Sequence, residues 1–119
     1  MILVDTSVWI DFFRKGDDVL VSLLEDGEVA THPYIVGELA CGHLPRRKQL
    51  MGDLSRLPST VVAQQGEVLA FIEKHELMGE GVGYLDIHLL ASVVLSADML
   101  LWTKDKKLAS LARRFSLLH

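Results

Sequence analysis

The chain has 119 residues, the length of one domain with a core of its own, and half of them are hydrophobic. Its single cysteine, Cys41, excludes an intrachain disulfide and a cysteine-based zinc site. Sixteen acidic residues against twelve Lys and Arg give a net charge of −4, so nothing in the totals advertises a nucleic-acid binder. That charge does not exclude one either, because setting aside the four carboxylates singled out below leaves acids and bases equal in number. The mean hydropathy of +0.28 is high for so short a chain and implies apolar surface that a partner covers. The most apolar stretch, residues 87–97, holds His88, Ser92 and Ser96 and falls short of the roughly 18–20 residues a membrane span needs. The N-terminus lacks a basic leader, and Asp5 interrupts its apolar run almost at once. The expectation is a single cytoplasmic domain over residues 1–119, with no membrane segment.

Residues 2–5 read as a short buried strand, β-branched at two positions. Thr6 and Ser7 suit the N-cap of a helix running to about Arg14 and stopped by Gly16. Asp17 or Asp18 can cap a second helix to about Glu25, with Val19, Leu20, Leu23 and Leu24 as its apolar stripe. After the turn at Gly27, residues 28–31 read as a strand. Pro33 starts a third helix that Gly42 ends, and Pro45 a fourth that reaches about Arg56. A strand is expected over 60–63, a helix over 65–77, and a glycine-rich connection over 79–83. A long apolar helix then covers 84–97, a strand 99–102, a short helix 104–113 and an edge strand 115–118. Strands alternating with helices predict an α/β protein, a three-layer α/β/α sandwich on a small, mainly parallel sheet.

Sites in such folds form beyond the carboxyl ends of the strands. Asp5 closes the first strand, and Thr103 and Asp105 follow a late one, so these residues lie there by construction. Glu38 and Asp86 each interrupt an otherwise apolar helical stretch. Four carboxylates gather only when something offsets their repulsion, and a divalent cation does so. The pattern therefore points to metal-dependent phosphate chemistry. Each residue taken singly has a plainer reading: Asp5 and Asp105 as helix caps, Glu38 as part of a solvated stripe, Asp86 as a first-turn acid on the helix dipole. His88 reads as a satisfied or partly exposed histidine. Lys104 and Lys106 are placed to meet a phosphate backbone, and Asp11 reads as an ordinary surface residue.

Four fragments in order tie the carboxylates together. They are Val4-Asp5-Thr6-Ser7-Val8-Trp9, then Val36-Gly37-Glu38-Leu39, then Gly83 to Ser92 around Asp86, and Leu101 to Leu108 around Asp105. With them the chain resembles the PIN-domain family, and within it the VapC-type toxins of toxin–antitoxin pairs. The resemblance implies a small parallel sheet flanked by helices and an acidic pocket for Mg²⁺ or Mn²⁺. It implies catalytic Asp5, Glu38, Asp86 and Asp105, with Asp5, Asp86 and Asp105 holding the metal and Thr6 or Thr103 assisting. It also implies an RNA substrate, a VapB-like antitoxin and a homodimer. Two alternatives differ in class. A non-catalytic binding module would use apolar residues such as Phe12, Phe13, Val19 and Leu20 as its surface. An aspartate-based phosphatase or receiver-like domain fits poorly, because the phosphatase signature places a second Asp where this chain has Ser7.

Overall fold

The apolar run at the N-terminus forms β1 (Ile2–Val4), and all three of its residues are buried, so both faces of this strand are covered. β1 is the centre of a three-stranded sheet described, like the rest of residues 1–119, by a computed structural model. Its neighbours are β2 (Val29–Ala30) and β3 (Leu100–Trp102), both parallel to it, in the order β2-β1-β3. Seven helices complete the fold: α1 (Thr6–Lys15), α2 (Asp18–Glu25), α3 (Pro33–Ala40), α4 (Arg47–Ser55), α5 (Gln65–His75), α6 (Tyr84–Leu95) and α7 (Lys106–Arg114). Parallel strands need crossovers, and the helices supply them while burying the sheet. The α/β class and the small parallel sheet thus stand as the sequence predicts. One cluster of 25 buried apolar residues forms the core, from Leu3 on β1 to Leu90 on α6 and Leu108 on α7.

The local rules mostly hold. Asp17 caps α2 by accepting from the backbone N–H groups of Val19 and Leu20, and Gly16 takes a φ of 73° after α1. No helix is long and apolar enough to cross a membrane.

Three local expectations fail. Thr6 and Ser7 do not cap α1; they lie inside its first turn, Asp5 occupies the cap position, and no side chain there makes a capping bond. The expected strand at 60–63 shrinks to one parallel bridge between Thr31 and Ser59. Its next backbone donors turn to side chains of α6 instead: Val61 N–H to Ser96 Oγ and Ala63 N–H to Ser92 Oγ, each at 3.0 Å. The expected edge strand at 115–118 likewise reduces to one bridge, Leu101 to Leu118. Ser116, at φ 58°, follows α7 in the left-handed region and leaves little straight chain before His119.

Candidate active site

β1 and β3 end side by side, and the Asp5 N–H donates to the Trp102 carbonyl at 2.9 Å. The residues after both strands therefore meet. Asp5 is only 6% exposed, and its Oδ2 accepts two hydroxyl bonds, from Thr103 Oγ1 at 2.8 Å and Ser7 Oγ at 2.9 Å. Ser7 Oγ in turn accepts the Lys104 N–H at 3.0 Å, and Thr103 Oγ1 accepts the Asp105 N–H at 3.1 Å. This lattice of hydroxyls fixes the Asp5 carboxylate and the backbone entering α7. Thr6 Oγ1 donates to Glu38 Oε1 at 2.9 Å, which ties the first turn of α1 to α3. Both threonines singled out from the sequence are thus found bonded to candidate carboxylates. Ser7 was missed as a member of the site. Its only signal is its place two residues after Asp5, where cap and site readings look alike.

Asp105 does cap α7, with Oδ1 accepting the Leu108 N–H at 2.9 Å, so the plainer reading of this residue is correct as far as that oxygen goes. Asp86 sits in the first turn of α6, where the helix dipole favours the charged form. Its pKa nevertheless rises from 3.8 to about 6. Burial is the largest cause, followed by the charges of Asp5, Asp105 and Glu38. All four carboxylates therefore share one electrostatic neighbourhood, and burial with mutual repulsion outweighs the dipole. None of the four belongs to an ion pair with Lys or Arg. The nearest cation by sequence, Lys104, gives its Nζ to Asp11 at 2.5 Å, and that contact holds the Asp11 pKa low. Asp11 is thus no ordinary surface residue, and Lys104 is not free to meet a phosphate. An aspartyl-phosphate site would want that lysine on Asp5, so this arrangement also counts against the phosphatase-like alternative.

The donor set is all carboxylate and hydroxyl oxygen, which suits a hard divalent cation. The side chains are not drawn into one coordination sphere: no three Asp, Glu, His or Cys residues converge closely enough to ligate a single ion directly. Mg²⁺ is the cation that fits such an open arrangement, because it keeps several waters and needs only one or two direct carboxylates.

Beside the carboxylates, α3 and α6 are joined by a second polar cluster. His32 is fully buried, its Nδ1 accepts the Tyr34 N–H at 3.0 Å, and its Nε2 lies 3.1 Å from Ser92 Oγ. Ser92 Oγ donates to the His88 carbonyl, so Nε2 is the protonated nitrogen. Burial, and then the neighbouring His88, lowers the His32 pKa to about 4. His88 departs from expectation: it is 2% exposed, and neither ring nitrogen has a partner in the protein.

The PIN domain family model matches residues 2–114, and the four carboxylates all fall inside that span. The chain belongs to the PIN-domain family. It is 44% identical over 108 residues to Ribonuclease VapC32 of Mycobacterium tuberculosis, with 91% of this chain and 87% of that protein covered. The same figures hold for strain CDC 1551 / Oshkosh and for strain ATCC 25618 / H37Rv. The VapC-type resemblance carried by the four fragments is thereby confirmed. In this PIN domain the acidic pocket lies where strand-end logic puts it, beyond β1 and β3, with α3 and α6 each bringing one further acid.

Proposed function

We propose that this PIN domain, read as a single unit over residues 1–119, is a metal-dependent endoribonuclease toxin of the VapC type. The observation that carries the reading is four carboxylates gathered in one pocket without a balancing cation, one of them pushed up to about 6. Similarity to a protein named as a ribonuclease supports RNA as the substrate. Asp5, Asp86 and Asp105 would hold Mg²⁺, with Mn²⁺ as a substitute. The ion, when bound, would acidify water and neutralise charge on the scissile phosphate.

The protein's own groups have separable tasks. Ser7 and Thr103 occupy Asp5 Oδ2 and leave Oδ1 to face the pocket. Leu108 N–H occupies Asp105 Oδ1 and leaves Oδ2. Thr6 holds Glu38 Oε1, so Oε2 can orient the attacking water and take its proton. Water attack on phosphorus expels the ribose 3′ oxygen, leaving 5′-phosphate and 3′-hydroxyl ends.

A VapB-like antitoxin, a homodimer and a cytoplasmic site of action belong to the same proposal. An apolar groove lined by Trp9, Phe12, Phe13, Leu50 and Leu54 supports a protein partner. Leu20, expected on such a surface, is instead fully buried, while Val19 stays exposed.

The test is cleavage of total cellular RNA by the purified protein with Mg²⁺, with EDTA, and with a folded Asp86→Asn variant. Cleavage should need Mg²⁺ and fall about 100-fold or more in the variant, a loss typical for removing one electrostatic contact to the transition state. Products ending in 2′,3′-cyclic phosphate, or activity surviving both EDTA and Asp86→Asn, would overturn the mechanism.

A further inference from the structure

Tyr34 opens α3 one turn before Glu38 and on the same face. Tyr84 opens α6 one turn before His88, again on the same face. Both tyrosines are exposed, at 39% and 42%, although rings of this size ordinarily seek cover. Their rings lie against His88, with centroids 4.5 Å from it for Tyr34 and 6.0 Å for Tyr84. His32 backs the group, 5.1 Å from Tyr34 and 5.3 Å from His88. The result is a tier of aromatic rings with two phenols outermost and an imidazole beneath them.

Packing alone does not account for this tier. A leucine or phenylalanine at position 88 would fill the same space, whereas His88 buries two ring nitrogens that no protein group satisfies. Those nitrogens point to a ligand with polar edges, and the exposed rings to a ligand with a flat face. Beside a pocket built for phosphodiester chemistry, the ligand with both properties is the base attached to a neighbouring phosphate. We infer that Tyr34 and Tyr84 stack a nucleobase of single-stranded RNA next to the carboxylates, with His88 offering hydrogen bonds to the base edge. The inference rests on the nuclease reading and adds to it the residues that position the strand. No lysine or arginine is needed for such contacts, since every base has a stacking face, and that suits a chain of net charge −4.

The experiment measures binding of fluorescently labelled, short, mixed-sequence single-stranded RNA by anisotropy in Mg²⁺, on an Asp86→Asn background that prevents cleavage. Steady-state cleavage by the otherwise unaltered protein is followed in parallel. Tyr34→Ala and Tyr84→Ala should each weaken binding about tenfold and raise KM to match, with kcat within about twofold. Tyr→Phe at either position should restore affinity. Tyr→Leu, which keeps a cover over His88 but presents no flat ring, should behave like Ala. Affinity retained by the Leu or Ala variants would overturn the inference while leaving the nuclease reading intact. An Asp86→Asn protein that binds no RNA, together with a parent protein that cleaves none, would overturn both.

Discussion

At Asp86 and His32 two buried or half-buried groups titrate in the same range with opposite signs. The folded Asp86 carboxyl, raised from 3.8 to about 6, binds more protons than the unfolded chain across that window, so stability falls as pH rises through it. The folded His32 ring, lowered from 6.5 to about 4, binds fewer, so its contribution is present above 6.5 and lost as pH falls toward 4. In the parent protein the two effects partly cancel. Asp86→Asn removes the first and should leave a metal-free protein that gains stability steadily from pH 4 to pH 6.5. The shift at Asp86 corresponds to about 3 kcal/mol, which screening at a half-exposed group reduces to about 1 kcal/mol. The variant should therefore melt a few degrees above its parent at pH 7, with the gap closing toward pH 4. Equal melting temperatures at pH 7 would mean that the four acids do not repel as their placement implies. The sequence could nominate these acids, because each breaks an apolar run or ends a strand. It could not show that Ser7 and Thr103 share one oxygen of Asp5, since a hydroxyl beside a helix start reads equally well as a cap.

At the level of elements, α6 does more than the apolar periodicity suggests. Its Ser92 accepts the Ala63 N–H, meets His32 Nε2, and returns its own hydrogen to the His88 carbonyl. This one hydroxyl pins α3 and the 60–63 segment to α6, and it replaces the ladder that a strand at 60–63 would have formed. Ser92→Ala leaves a backbone donor and a ring nitrogen unpartnered in the interior. The expected loss is about 2–4 kcal/mol in urea unfolding, from about 1–3 kcal/mol per orphaned group. Ser96→Ala, which frees only the exposed Val61 N–H, should cost about 1 kcal/mol or less. A Ser92→Ala loss below about 0.5 kcal/mol would show that the segment holds itself in place. The strand was predicted because Thr60-Val61-Val62-Ala63 is rich in β-branched residues. Propensity cannot reveal that the nearest acceptors belong to serines some 30 residues on, and those acceptors won.

Over the whole molecule, charge is divided rather than uniform. Five of the twelve Lys and Arg side chains pair with acids far from the pocket, and none answers the four site carboxylates. A protein arranged in this way stores repulsion that a cation relieves. Adding Mg²⁺ to metal-free protein at ten times its Kd should stabilise it by about 1.4 kcal/mol, or roughly 5 °C in Tm. Sodium chloride at matched ionic strength should give less, and Asp86→Asn should blunt the response. A Tm indifferent to Mg²⁺ would leave the carboxylates without the partner that explains their gathering.

Alternating strand and helix patterns, strand-end acids and four ordered fragments were enough, in the sequence alone, to determine the α/β class, the family and the four carboxylates. These follow from local periodicity and chain order, which a linear text preserves. Only the tertiary structure decided that Lys104 serves Asp11, that Ser7 joins the site, that 60–63 is not a strand, and that two tyrosines and a histidine share one surface. Each of these depends on a contact between residues distant in the chain or on which of two competing partners lies nearer. Such choices are made by packing, which brings together Asp5 and Thr103 or Tyr34 and His88 without leaving a mark on either stretch of sequence.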